Sequence, residues 1–391
     1  MDSQQQKIVD EARIFAEKEI RPYAREFDER GVLPRELMDK MAEKRYLSAN
    51  FPEKYGGLGL DPVYYGFFTE EIGKACCSVR ALITVHSSLV GETLLRWGTG
   101  KQKDKWLPFM VAGKKIGAFA LSEPDVGSNA KSVQTAYEKS GNSYIISGQK
   151  KWISFGDIAD FFIVIASNKS RVSAFLVERG WEGVESKPIK GMLASRASHI
   201  AVLNFDKVIV PDENCLGKEG SGFSYIVNTA LDHGRYSIAW AGVAVAQEAL
   251  EAMVTYARKR SQFGKKIYNF QLIQGMIGDA VTKTHAARSL CLRAGEMRKE
   301  GDPDATIETS MAKYFASKVA MEVAADAVQV HGANGCCNGY PVERLYREAK
   351  VLEVIEGTSQ IQQEIIARFG LRRYTKKEYP ERVRHSSKGH G

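Results

Sequence analysis

A block of short β-prone runs lies between two long stretches with helical periodicity, and this order constrains the fold more than any other feature. Before the block, Ile8, Ala12 and Phe15 recur at the three- and four-residue spacing of an amphipathic helix. Within the block, runs such as SYIISG and FFIVIA are separated by Gly, Asn, Asp and Ser, which predicts an antiparallel β domain. After the block, four long segments carry apolar residues at the spacing of bundle helices.

The 391 residues exceed one typical hydrophobic core, so we expect several packed domains and an α+β fold. We predict a helical domain at 1–115, an antiparallel β domain at 116–224, a four-helix bundle at 225–370 and a basic tail at 371–391. The fourth bundle segment is VERLYREAKVLEVIEGTSQIQQEIIARF, and its helical pattern is interrupted at Glu356.

Composition excludes several classes of protein. With 44% hydrophobic and 26% charged residues the chain is typical of a globular protein, and no run approaches the 18 apolar residues of a membrane span. The N-terminus lacks the apolar run of a signal peptide, so we expect a cytoplasmic protein. Six cysteines without CxxC or Cys/His ligand spacing predict neither a disulfide scaffold nor a metal site.

The net charge of +8 is concentrated at the C-terminus, where residues 371–391 hold seven Lys and Arg against two Glu. Such a tail can bind nucleic acid or another polyanion, although a solvated terminus is the simpler interpretation. The excess of basic over acidic residues suits an anionic partner, such as a phosphorylated cofactor or an acidic carrier protein.

Two segments of the β block have the residue types of a cofactor cradle. In LSEPDVGS, Gly127 exposes backbone N–H groups, and Ser122 and Ser128 add hydroxyls that would hold a flavin ring edge or a pyrophosphate. A plain turn between strands has the same composition. In KKWIS, Trp152 lies on a predicted strand, where a core tryptophan is the alternative.

A third segment, RSQFG, follows a helix and precedes FQLIQ. Arg260 offers bidentate recognition of phosphate, and Gln271 and Gln274 would hydrogen-bond an adenine or a ribitol. The alternative is an arginine at a helix C-terminus followed by a glycine cap.

Glu356 is the notable carboxylate of the chain. It lies among apolar residues in VIEGTSQ, just before Gly357. Apolar surroundings raise the proton affinity of a carboxylate, as a base that works near neutral pH requires. A helix-capping glutamate is the alternative.

In chain order, AFALSEPDVGS, KKWIS, RSQFG with the following FQ, QVHGANG and YREAKVLEVIEGTSQIQ resemble the acyl-CoA dehydrogenase superfamily. The five motifs have the family's order and spacing, and the resemblance extends over about 1–370. It implies an N-terminal helical domain, a middle β domain and a C-terminal four-helix bundle, which is the order found above. It also implies a homodimer or homotetramer.

The resemblance implies FAD as the cofactor and Glu356 as the catalytic base. It assigns to the cofactor Phe119, Leu121, Ser122, Gly127, Ser128, Trp152, Ser154, Arg260, Gln262, Phe263, Gln271, Gln329, Gly332, Thr358 and Gln360. Among these, the segment from Arg260 to Gln271 would reach the FAD of a neighbouring subunit. It assigns to the substrate Ser128, Asp232, Gly234, Arg235 and Gly357. One subgroup of the family carries its catalytic base at the position of Gly234. A glycine cannot act as a base, so no second candidate for the base competes with Glu356.

The implied reaction removes an α proton and a β hydride from an acyl thioester on CoA or on an acyl carrier protein. The implied electron acceptor is another flavoprotein or O2; membrane and nucleic-acid partners are not expected.

The segments GRYSIAWAG, GDPDA and AKYFAS resemble a narrower branch that acts on carrier-tethered acyl groups in hydroxymalonyl or aminomalonyl extender-unit biosynthesis. We therefore expect a polar three-carbon acyl group, with His233, Tyr236 and Ser237 as hydrogen-bonding partners unless they lie on an ordinary helix surface. The alternatives are a conventional short-chain acyl-CoA dehydrogenase of fatty- or amino-acid catabolism, an oxidase using O2, and a nucleic-acid-binding protein, against which an intact Glu356 argues.

Overall fold

The computed structural model describes residues 2–169 and 171–375, and its first part is helical. Asp2 and Asp61 each accept hydrogen bonds from backbone N–H groups of the helix that follows, and Pro62 occupies the first position of the second of these helices. Wider, π-type turns occupy Ala16–Ile20 and Thr84–Gly91. The helices are α1 (Ser3–Phe15), α2 (Ala24–Arg30), α3 (Arg35–Glu43), α4 (Pro62–Ala75), α5 (Cys77–Ile83), α6 (Glu92–Trp97) and α7 (Gly100–Val111).

An eight-stranded sheet follows. The strands are β1 (Gly117–Ala120), β2 (Ala136–Ser140), β3 (Ser143–Ile153), β4 (Phe161–Asn168), β5 (Arg171–Glu178), β6 (Val184–Pro188), β7 (Ala201–Pro211) and β8 (Cys215–Leu216). Their order is β6-β7-β3-β2-β4-β5-β8, with β1 added beside β4. Most pairs are antiparallel, as predicted, but β1 pairs with β4 in parallel, and β2 meets β4 in parallel through one residue pair.

Helices return after a π-type turn at Gly222–Val227. They are α8 (Asn228–Lys259), α9 (Gln271–Glu300), α10 (Ala305–His331), α11 (Val342–Leu352) and α12 (Ser359–Arg373), with a short hairpin of β9 (Ser261–Gln262) and β10 (Lys265–Lys266) between α8 and α9. Small residues let α8 and α10 approach closely: a Cβ at Gly242 would lie 2.6 Å from the carbonyl oxygen of Ala316.

The order of helical, β and helical parts confirms the predicted fold class. The fourth bundle segment is not one helix, however, because the backbone leaves the right-handed region at Glu356 and Gly357, with φ of 54° and 89°. Thr358 then caps α12 through its hydroxyl, which accepts a hydrogen bond from the N–H of Ile361 at 3.3 Å. The domain boundaries at 115, 224 and 370 remain predictions, and the basic tail from residue 376 onward lies outside the described residues.

In the described ranges no helix has the length and apolarity needed to cross a membrane. Nor do these residues contain a group of three His, Cys, Asp or Glu side chains that could hold a metal ion. All six cysteines belong to the described chain and are free thiols.

Candidate active site

The predicted base lies in the turn between α11 and α12. Its carbonyl oxygen accepts hydrogen bonds from Arg235 Nε at 3.3 Å and from Gln362 Nε2 at 3.1 Å. The next carbonyl, that of Gly357, accepts from Lys313 Nζ at 2.8 Å. A left-handed backbone is unfavourable for a residue with a side chain, so these bonds hold Glu356 in a conformation that it would not adopt alone.

The carboxyl group of Glu356 has an unusual environment. Its Oε2 atom is shielded from solvent and has no hydrogen-bond partner among the described residues. Burial raises the pKa of the Glu356 carboxyl from 4.5 to about 7, although the positive charges of Arg235, Lys313 and Arg80 act in the opposite direction. A carboxyl with a pKa near neutrality and a free oxygen is suited to proton abstraction.

Gly234 makes room for this carboxyl on the surface of α8. A Cβ at position 234 would lie 2.5 Å from Glu356 Oε2 and 2.7 Å from Leu89 Cδ2. Both distances are shorter than atomic contact allows, so the carboxyl occupies this position only because residue 234 has no side chain. Of the other residues predicted to face the substrate, Arg235 adjoins the turn, whereas Asp232 forms an ion pair with Arg298 at 2.6 Å.

Lys313 was missed by the sequence analysis. Its side chain on α10 is completely buried, and its Nζ binds the turn at the Gly357 carbonyl. Burial lowers the pKa of Lys313 from 10.5 to about 8, while the nearby Glu356 opposes that change. A lysine within the small-residue run SMAKYFAS, on a helix face that is otherwise apolar, was the available signal.

The predicted cradle at 119–128 is held by a buried ion pair. Lys150 Nζ lies 2.6 Å from Glu123 Oε1 and donates to the Leu121 carbonyl at 3.0 Å; neither charged side chain is more than 2% exposed. Glu123 also accepts from the backbone N–H groups of Gln134 and Thr135 at 2.6 and 2.9 Å. This ion pair could not be predicted from the sequence, because a partner 27 residues away leaves no local pattern.

The cradle itself is open at one end. Phe119 and Leu121 are buried and Ser122 is half-buried, whereas Gly127 and Ser128 are exposed. A Cβ at Gly127 would meet no atom within 4 Å, so the backbone there is accessible to a ligand.

Trp152 lies next to this loop, because the Lys151 N–H donates to the Ser122 carbonyl at 2.9 Å. The interpretation of Trp152 as a core residue is wrong: it is 49% exposed, with φ of 65°. Its ring offers a flat surface, and Ser154 is half-buried two residues farther on.

A second group of predicted cofactor residues lines an open cavity of about 420 Å³ at the C-terminal ends of α8 and α10. The predicted residues in its lining are Arg260, Gln262, Gln329 and Gly332. Phe263 and Gln271 lie outside that lining and are exposed, Phe263 by 93%. Thr358 and Gln360 lie at the start of α12, beside the turn of Glu356.

Two of the three residues expected to bind a polar acyl group are instead used within the protein. Tyr236 donates to the Pro62 carbonyl at 2.7 Å, and Ser237 Oγ lies 2.7 Å from Thr84 Oγ1. Both are buried, so the surface interpretation is wrong as well. His233 is half-buried, and burial lowers the pKa of its imidazole.

Comparison with known proteins gives matches over most of the chain. Family models match residues 2–114 (Acyl-CoA dehydrogenase, N-terminal domain), 118–208 (middle domain) and 220–371 (C-terminal domain). A short-chain specific acyl-CoA dehydrogenase of Clostridium acetobutylicum is 36% identical over 93% of this chain and 97% of its own.

Solved structures agree with these matches. Butyryl-CoA dehydrogenase from Megasphaera elsdenii is 35% identical with a TM-score of 0.92, covering 95% of this chain and 99% of that one. The prolyl acyl carrier protein oxidase AnaB is 28% identical with a TM-score of 0.90, covering 94% and 99%. FkbI, for biosynthesis of a methoxymalonyl extender unit, is 29% identical with a TM-score of 0.85, covering 95% and 99%.

Proposed function

The chain belongs to the acyl-CoA dehydrogenase family of oxidoreductases, and we propose that it is an FAD-dependent dehydrogenase of acyl thioesters with Glu356 as its base. The observation that carries this proposal is the free Oε2 of Glu356, a buried carboxyl oxygen without a hydrogen-bond partner in the described chain. A buried carboxylate usually has its oxygens satisfied. An unpaired oxygen in a turn held by the side chains of Arg235, Gln362 and Lys313 therefore suits a base that accepts a proton from a C–H bond.

The residues of the cradle fit FAD. The exposed Trp152 ring, the accessible backbone at Gly127 and the hydroxyls of Ser122, Ser128 and Ser154 would hold the ring system. Phe119 and Leu121, buried at the start of the loop, would close its apolar side. When bound, FAD supplies the two-electron acceptor for the β hydride of the substrate.

The chain itself handles the proton. Glu356 accepts the α proton from the carbon next to the thioester, which places negative charge on the thioester oxygen. The backbone N–H of Glu356 donates no hydrogen bond within the described residues, so it is available to bind that oxygen. Loss of the α proton and of the β hydride leaves a double bond between the two carbons, and the electrons pass on to a flavoprotein or to O2.

We propose a polar three-carbon acyl group on an acidic carrier protein as the substrate, with glyceryl as the example. Loss of its α proton and β hydride gives an enol that tautomerises to an aldehyde. The similarity to AnaB and FkbI, one a carrier-protein oxidase and the other of extender-unit biosynthesis, supports this substrate class, as does the net charge of +8. The alternative is a conventional short-chain dehydrogenase, which the Clostridium relative favours.

Stopped-flow measurement of flavin bleaching decides between these substrates. We expect a glyceryl carrier protein to reduce the flavin faster than butyryl-CoA does, and we expect added salt to slow the first reaction more. A clearly faster reaction with butyryl-CoA would establish the conventional short-chain enzyme. Peroxide formed in air at the rate of substrate oxidation would identify an oxidase.

We further propose that the cavity at Arg260 binds the FAD of a neighbouring subunit in a homodimer or homotetramer. Gly234 and Arg260 lie 26 residues apart, which corresponds to a rise of about 39 Å along α8 at 1.5 Å per residue. One FAD does not reach from Glu356 beside Gly234 to that cavity, which supports a division of the cofactor residues between two subunits.

Arg260→Ala is therefore expected to weaken FAD retention and to loosen the oligomer, because cofactor and assembly stabilise each other by linkage. The measurements are flavin absorbance after gel filtration and mass by light scattering, each with and without added FAD. Arg258→Ala, in the last turn of α8 and outside the cavity lining, is the matched control and should behave as wild type. A monomeric wild-type protein that retains FAD tightly would refute the shared site.

A further inference from the structure

The buried ion pair of Lys150 and Glu123 binds three separate backbone segments around the cofactor cradle. Lys150 Nζ lies 2.6 Å from Glu123 Oε1 and donates to the Leu121 carbonyl at 3.0 Å. Glu123 accepts from the N–H groups of Gln134 at 2.6 Å and of Thr135 at 2.9 Å. The pair therefore joins the end of β3, the loop that follows β1 and the chain just before β2.

Lys150 is the last residue of β3 before the ladder with β7 becomes irregular. It lies opposite Leu203, and the next regular pair is Ile153 opposite Ala201. Three steps along β3 thus correspond to two along β7, as in a β-bulge, where an extra residue changes the direction of a side chain. Trp152 belongs to this irregular stretch, with φ of 65° and 49% exposure. Lys150 therefore fixes the point from which the chain turns to expose the Trp152 ring.

Glu123 fixes the turn on the other side of the cradle. It forms an isolated antiparallel bridge with Val126, in which the two N–H to carbonyl distances are 2.9 and 3.3 Å. Gly127 and Ser128 follow directly, and their N–H groups donate no hydrogen bond within the described residues. These donors are available to a ligand, and their direction depends on the turn that Glu123 holds.

Stability alone does not account for a buried ion pair at this position. Backbone ladders already join β3 to β2 on one side and to β7 on the other. The loss of hydration offsets much of the attraction between two buried charges, so neutral side chains of similar volume often stabilise a protein as well. A pair that hydrogen-bonds only backbone groups around the cradle is explained instead by the shape that it gives to the cradle.

We propose that Lys150 and Glu123 are positioning residues for the flavin. As a pair they hold the Trp152 ring on one side of the cradle and the N–H groups of Gly127 and Ser128 on the other, at the spacing that the ring system of FAD requires. Neither charged side chain is more than 2% exposed, so both act through the backbone and not by contact with the cofactor. This role rests on the proposed function and extends it to residues that FAD does not touch.

The test compares the wild type with Lys150→Met, Glu123→Gln and the double variant, all prepared with FAD. Methionine keeps the apolar stem of Lys150, and glutamine keeps an oxygen for the N–H groups that Glu123 binds. In excess FAD the double variant should melt at a higher temperature than either single variant, because it leaves no unpaired buried charge. Its affinity for FAD should nevertheless stay at least tenfold below that of the wild type, as in the single variants.

Fluorescence of the bound flavin provides a readout that a purely structural role would not change. An aromatic ring against the flavin quenches its fluorescence, so the flavin should be brighter in the double variant, where Trp152 is no longer held in place. Lys105→Met/Glu178→Gln makes the same substitutions in a more exposed pair, 3.3 Å apart, between α7 and β5. This control should keep the FAD affinity and the flavin fluorescence of the wild type.

Two results would overturn the positioning role. One is a double variant that regains wild-type FAD affinity together with its melting temperature, because the pair would then serve folding only. The other is a double variant that does not fold, because positioning would then not be separable from folding. A wild-type protein that does not bind FAD would contradict the proposed function itself.

Discussion

Replacement of Glu356 by glutamine is expected to lower the rate of flavin reduction by about 10²- to 10⁴-fold, the usual contribution of a positioned general base. Glutamine keeps the size of the side chain and its hydrogen-bonding capacity but cannot accept the α proton. FAD should stay bound, because the cradle at Ser122 and Trp152 is formed by other parts of the chain. Stopped-flow bleaching with the best thioester measures the rate, and the absorbance spectrum measures bound flavin.

The pH dependence of the same rate provides a second readout. Burial raises the pKa of Glu356 to about 7, and the carboxylate is the active form. The wild-type rate should therefore rise with pH and reach half its maximum near pH 7, and the residual rate of Glu356→Gln should lack that rise. Glu364→Gln is the matched control, since Glu364 is an exposed residue of α12 paired with Arg368. Near-normal reduction by Glu356→Gln would eliminate this residue as the base.

Gly234→Ala is expected to produce the next largest loss, about 10²-fold in the rate of flavin reduction. The new methyl group would overlap Glu356 Oε2, which lies 2.5 Å from the Cβ position, and would push the carboxyl out of place. A displacement of about 1 Å at a reacting group is enough for a loss of this size. Gly370→Ala is the control, because the Cβ in α12 would meet its nearest atom, Tyr374 Cδ2, only at 4.0 Å.

The double variant separates displacement of the base from general damage. If Gly234→Ala acts only through the carboxyl, Gly234→Ala/Glu356→Gln should be no slower than Glu356→Gln alone, because the base is already absent. Fully additive losses would mean that the methyl group disturbs something other than Glu356.

Features of the fold that depend on the local pattern of apolar and polar residues could be predicted from the sequence. The alternation of helical and β periodicity predicted the order of the three parts, and the interrupted pattern at Glu356 placed the turn that the structure shows. The exposed position of Trp152 was not predictable in this way, since a β-strand pattern does not reveal that the chain turns to φ of 65° at that residue.

Features that depend on distant pairing could not be predicted. Lys313 meets Gly357 across 44 residues, and Arg80 meets Ser237 across 157. In the sequence each is simply a charged residue in an apolar run, which gives no indication of its partner. The pattern of the fourth bundle segment breaks at Glu356, but only the left-handed turn in the structure shows that the break separates two helices rather than interrupting one.

The turn between α11 and α12 has a consequence for the heat resistance of the protein. Glu356, with its pKa raised to about 7, favours folding below the ordinary carboxyl pKa, and this contribution is lost as the pH rises through 7. Lys313, with its pKa lowered to about 8, favours folding only at alkaline pH. At neutral pH the charged forms of Glu356 and Lys313 both lower the free energy of unfolding. The left-handed backbone at Glu356 lowers it further. Glu356, the group proposed for turnover, is thus among those that limit the melting temperature, and Glu356→Gln should give a protein that is inactive but harder to unfold.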